Sequence, residues 1–187
     1  MKRIVILLIN LCIGSAAVLL TNGDFEQDLN AGWMEVVQGQ ETGDTIDRNV
    51  SFHPDPDFEV RIKKYDAAYA RLYQTVDIAT TDLEFSVDAK LVAYEYTPGD
   101  IRWATASIVL EYRDDQDSAL GQTRICYNTP HCPYTNTATF HMIEAIDTTN
   151  WHTYAFNVDD ELVNLPGVYP PDIARIEVSL YDTTDGC

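Results

Sequence analysis

Aromatic rings set beside guanidinium and carboxylate groups are the residues of this 187-residue chain best suited to chemistry. Strand alternation sends Trp103, Tyr73 and Tyr94 away from the core, and Arg61, Arg71 and Glu111 with them. A sugar presents flat apolar faces ringed by hydroxyls. Rings cover such faces while charged and amide groups bond the hydroxyls, so the set reads as a platform for a polysaccharide or glycan. The competing role for such rings is closure of a sandwich core, which Trp103 also suits and to which Trp33 and Trp151 are assigned.

Other reactive groups offer less. The histidines His53, His131, His141 and His152 are scattered without metal-ligand spacing, and read as loop or ordinary strand residues. No nucleophile elbow, His-Glu-x-x-His, phosphate-binding glycine loop or Cys-x-x-Cys occurs. Glycosidic cleavage needs two carboxylates at a set separation. Among 30 acidic residues, Glu84 with Asp88, or Glu111 with Asp114, is no more marked than other pairs. Beyond the leader described next lie Cys126, Cys132 and Cys187. In an oxidising compartment Cys126 and Cys132 are expected to close a short loop as a disulfide. Cys187 is an alternative partner for either, or the link of a dimer. A zinc site from Cys126, His131 and Cys132 lacks a fourth ligand and the spacing of a structural motif.

These groups need a scaffold and a compartment. Lys2 and Arg3 precede an apolar run from Ile4 to Leu20, in which Gly14-Ser15-Ala16-Ala17 supplies the small residues of a cleavage site. That is the pattern of a signal peptide over residues 1–17, the competing role being an uncleaved membrane anchor. A secreted domain over residues 18–187 follows, long enough for one proper core. The formal charge of −18 excludes nucleic acid as a partner, because such a surface repels phosphates.

Period-two alternation dominates the remainder. Phe58, Val60 and Ile62 alternate with Glu59, Arg61 and Lys63; Leu72, Gln74, Val76 and Ile78 with Arg71, Tyr73, Thr75 and Asp77. Leu83, Phe85, Val87, Ala89 and Leu91 form the cleanest apolar face. Further strands are expected over 103–112, 120–127, 151–158 and 174–181, with no helix. Short strands with one apolar face, joined by polar turns, predict an all-β antiparallel sandwich.

Three segments carry a family likeness. Leu19-Leu20-Thr21-Asn22-Gly23-Asp24-Phe25-Glu26 with Gly32-Trp33 resembles the first strand of galactose-binding-like β-jelly rolls, the fold of many carbohydrate-binding modules. Ala70 to Ile78 followed by Leu83 to Lys90 resembles their paired middle strands, and Ile176 to Asp182 their last. The resemblance implies a non-catalytic sugar-binding domain. It also implies a structural calcium between first and last strands, carried here onto Glu26, the carbonyl of Gly23 and Asp182, since calcium takes carboxylate and carbonyl oxygens. The alternatives are a structural or protein-binding surface domain of the same fold and, third, a polysaccharide-cleaving enzyme.

Overall fold

The computed structural model describes residues 5–13, 17–39, 42–94 and 101–185. Its strands are β1 (Val5–Ile13), β2 (Ala17–Val18), β3 (Met34–Val37), β4 (Thr45–Asn49), β5 (Glu59–Lys63) and β6 (Ala68–Asp77). Then come β7 (Glu84–Lys90), β8 (Ala104–Arg113), β9 (Ala119–Asn128), β10 (Phe140–Glu144), β11 (His152–Asn157) and β12 (Arg175–Thr184). A short helix, α1 (Val158–Leu162), follows β11. The chain is an all-β sandwich. One sheet has the order β11-β7-β1-β2, the other β10-β9-β8-β12-β6-β3, and β4-β5 forms a ribbon. Val5–Ile13, inside the expected leader, pairs antiparallel with β7 from Val5 opposite Lys90 to Cys12 opposite Glu84.

The alternation explains the core. On β6, Leu72, Gln74 and Val76 are buried while Arg71, Tyr73 and Thr75 are half-buried on the other face. On β7, Phe85, Val87 and Ala89 are buried between Glu84, Ser86, Asp88 and Lys90. These rows meet Ile108, Leu110 and Tyr112 of β8 and Val178 and Leu180 of β12 in one continuous cluster. Each fully buried large side chain contributes about 1.5–3 kcal/mol relative to exposure. Emptying the centre by Phe85→Ala would cost about 3–5 kcal/mol.

Several elements depart from expectation. The Leu19–Trp33 segment is a succession of turns, not a strand. Short backbone bonds such as Phe25 N–H to Asn22 O at 3.2 Å close the turns, and side chains take others: Thr21 N–H donates to Gln74 Oε1 at 2.7 Å, and Gln74 Nε2 donates back to Thr21 O at 2.9 Å. Trp33 Nε1 donates to Asn22 O at 2.9 Å, and its ring lies 5.2 Å from Phe25. Gly32 takes φ +114°, and a Cβ there would sit 2.9 Å from Thr21 Cβ, which is why glycine precedes this tryptophan. Strands β3, β4 and β10 were not signalled. In β10, Phe140–Ile143 are all half-buried, so no face alternates, and the strand runs parallel to β9. Helix α1 is too brief to show a stripe. Asn157 caps it by accepting Asp159 N–H at 2.9 Å, and Asp159, Asp160 and Glu161 fill its first turn.

Candidate functional site

The outward face of the six-stranded sheet gathers polar and aromatic groups in register. Tyr69 and Arg71 from β6, Glu177 and Tyr181 from β12, Glu111 from β8 and Arg124 from β9 are among those lining a cleft of about 260 Å³. The Tyr69 and Tyr181 rings stack, with centroids 5.5 Å apart. Arg124 lies 5.0 Å from the Tyr181 ring, 4.7 Å from Tyr134 and 5.3 Å from Phe140, and its Nε donates to Gln122 Oε1 at 2.9 Å. Tyr134 continues the aromatic row to Trp103, at 5.5 Å. Arg71 covers the Tyr73 ring at 3.9 Å.

Charges on this face are tied together. Glu177, only 3% exposed, has Arg71 Nη1 3.0 Å from Oε1 and Arg113 Nη2 3.1 Å from Oε2. Arg113 also pairs with Glu111. Burial raises the Glu177 carboxyl, and Arg71 and Arg113 oppose that shift. Guanidiniums already held by rings and acids lose little freedom when a ligand arrives.

The expected platform is therefore divided. Tyr73, Arg71 and Glu111 share this face. Trp103 sits at its end, its backbone N–H donating to Asp185 Oδ1 at 2.6 Å. Arg61 and Tyr94 line a separate cavity of about 410 Å³ with Phe52, Lys90 and Trp151. Tyr69, Tyr181, Gln122 and Arg124 were missed. The alternation of Ile176, Val178 and Leu180 with Glu177, Ser179 and Tyr181 carried the signal for β12. Nothing local in the sequence announced the loop residue Tyr134.

The cysteines correct an expectation. Cys126 and Cys132 are both free thiols. Asn128 Nδ2 lies 3.4 Å from Cys126 Sγ, and the Cys132 sulfur accepts from the Tyr134 backbone. Cys187, and any dimer link through it, lies outside the described residues.

The acids expected to hold calcium do not form one oxygen cage. Glu26 is exposed and its Oε1 accepts Phe58 N–H at 2.8 Å, just before β5. Asp182 is buried in β12, its carboxyl pushed well above the usual range by burial and by Asp44, with Lys64 opposing. Lys64 follows the far end of β5, about 20 Å of extended chain from Phe58. Lys64 Nζ itself bonds Asp44 Oδ2 and Gly39 O, both at 2.6 Å. An ammonium thus supplies the positive charge nearby.

No protein-family model matches this chain, and no curated protein matches it.

Proposed function

We propose that this chain is a secreted, non-catalytic carbohydrate-binding domain of β-jelly-roll type that holds a polysaccharide or glycan along the outward face of the six-stranded sheet. The observation carrying this reading is the cleft beside the Tyr69–Tyr181 stack, where Arg71, Arg124, Gln122 and Glu111 offer hydrogen-bonding groups next to half-buried rings. That combination suits a ligand with apolar faces and hydroxyl edges. Binding is favoured over cleavage because Glu111 and Glu177, opposite one another on β8 and β12, both pair with Arg113. A glycosidase needs two carboxyls facing across the bond it cleaves, and these two are instead turned onto one guanidinium within the sheet face.

Secretion rests on the leader pattern. Removal of β1 would leave β7 paired through β11 alone, and N-terminal sequencing of exported protein tests the cleavage.

The functional test is a polysaccharide and glycan panel read by calorimetry. Tyr181→Ala and Arg124→Ala should each weaken a selective hit at least about tenfold, or 1.4 kcal/mol, whereas Tyr94→Ala should not. New reducing ends would instead indicate an enzyme. Silence across the panel would favour a structural or protein-binding surface domain.

A further inference from the structure

Away from the sheet face, three ligating side chains converge where the β4–β5 loop enters β5. Ligand atoms of His53, Asp55 and Glu59 all lie within 4.8 Å of one another. His53 Nδ1 is 2.5 Å from Asp55 Oδ2. Glu59 is 0% exposed, and neither carboxylate oxygen makes a hydrogen bond of ordinary geometry, the His53 backbone and the Asp55 carboxyl being polar groups that act on it. An interior carboxylate so poorly bonded is costly and asks for a cation.

The surroundings hold this geometry. Pro54 and Pro56 flank Asp55 and fix the backbone on either side of it. Asp55 Oδ1 accepts Asp57 N–H at 3.2 Å. Trp151 meets the His53 ring edge-on, with centroids 4.9 Å apart and planes at 87°.

We propose that His53, Asp55 and Glu59 bind a divalent first-row transition-metal ion of the zinc class, through one imidazole nitrogen and two carboxylates. A mixed nitrogen and oxygen set suits such an ion better than calcium, which takes oxygen alone. Three protein ligands leave a further position for water or an incoming group. The ion pins the loop carrying Phe52 to the start of β5 and, through His53, to Trp151. Phe52 and Trp151 both line the cavity of about 410 Å³, so the metal sets the shape of that wall.

The test uses the full chain, stripped with a chelator and titrated by calorimetry with zinc alone, with calcium in parallel. One saturable zinc equivalent and a higher melting temperature are expected, with no comparable calcium response. Glu59→Gln keeps the side-chain shape, and His53→Ala guards against a folding defect in that variant. Each should lose more than the roughly 10–100-fold in affinity that removing an outer-shell partner costs. Cobalt bound at this site should give a spectrum without thiolate charge transfer. The proposal is overturned by absence of saturable zinc binding, by affinity unchanged in both variants, or by uptake abolished in Cys132→Ser.

Discussion

Arg71 on β6 reaches across the sheet to Glu177 on β12, its Nη1 3.0 Å from Oε1, in the middle of the face that carries the aromatic cleft. Register places Tyr181 opposite Arg71, so this guanidinium lies beside the stacked tyrosines as well as over Tyr73. The ion pair thereby joins the mechanics of the sheet to the positioning of the rings.

Arg71→Ala should remove both connections. Glu177 would keep Arg113 but lose one charge-assisted bond inside a nearly buried setting, a cost of about 1.5–3 kcal/mol. A urea midpoint lower by that equivalent, with an unchanged slope, is the expected outcome. If the midpoint does not move, Arg113 alone satisfies Glu177.

Much of this face was legible in the sequence and some was not, for a definable reason. Alternation fixes which side of a strand a residue takes, and it placed Arg71, Tyr73 and Glu111 correctly relative to Leu72, Gln74 and Leu110. It does not say which sheet the strand joins. Arg61 has the same pattern as Arg71, yet β5 pairs with β4, and Arg61 faces another cavity. The Asn22–Glu26 segment misled differently. Its side-chain bonds, such as Asn22 Oδ1 accepting Gln27 N–H at 2.8 Å, build turns where a pairing strand was expected. The His53–Asp55–Glu59 group was invisible because its spacing matches no metal motif; the β4–β5 hairpin brings it together.

Asp147 gives a prediction in pH. Its Oδ1 accepts N–H bonds from Thr149 at 2.6 Å and Asn150 at 2.9 Å, and its Oδ2 faces His152 Nε2 at 2.8 Å. These bonds hold the carboxyl well below its ordinary range. An acid depressed on folding stabilises the fold above its unfolded value, and that contribution is lost as pH falls through the folded value. The gap in urea midpoint between the wild type and Asp147→Asn should therefore be full above about pH 4 and close below it. A gap constant from neutral pH to pH 2 would mean that the carboxylate charge contributes nothing.

The free thiols should differ from ordinary cysteines. Burial pushes the Cys126 thiol up to about 11 and raises that of Cys132 as well. Since the thiolate is the reactive form, alkylation of the native protein at mildly alkaline pH should be slow at Cys126 and faster at the less buried Cys132. Peptide mass mapping after native and denatured labelling reads this directly. Recovery of a Cys126–Cys132 linked peptide would instead restore the bridge expected from the sequence.

The buried acids around Lys64 provide the sharpest energetic test. Lys64 and Asp44 side chains are both fully buried, 2.6 Å apart, and the buried Asp182 carboxyl shares their neighbourhood, acted on by the Lys64 backbone and by both charges. Removing one member of a buried pair leaves an uncompensated charge, so Lys64→Met should cost about 3–5 kcal/mol, if the protein folds at all. Adding Asp182→Asn tests the charge on that acid: burial drives its carboxyl toward the protonated form, so the substitution should recover the Lys64→Met loss only to the extent that Asp182 is ionised beside Lys64. The double-mutant cycle measures the coupling, and for groups in contact it should fall within about 0.5–3 kcal/mol. Strict additivity would place Asp182 outside the influence of Lys64 and leave its burial without an electrostatic partner.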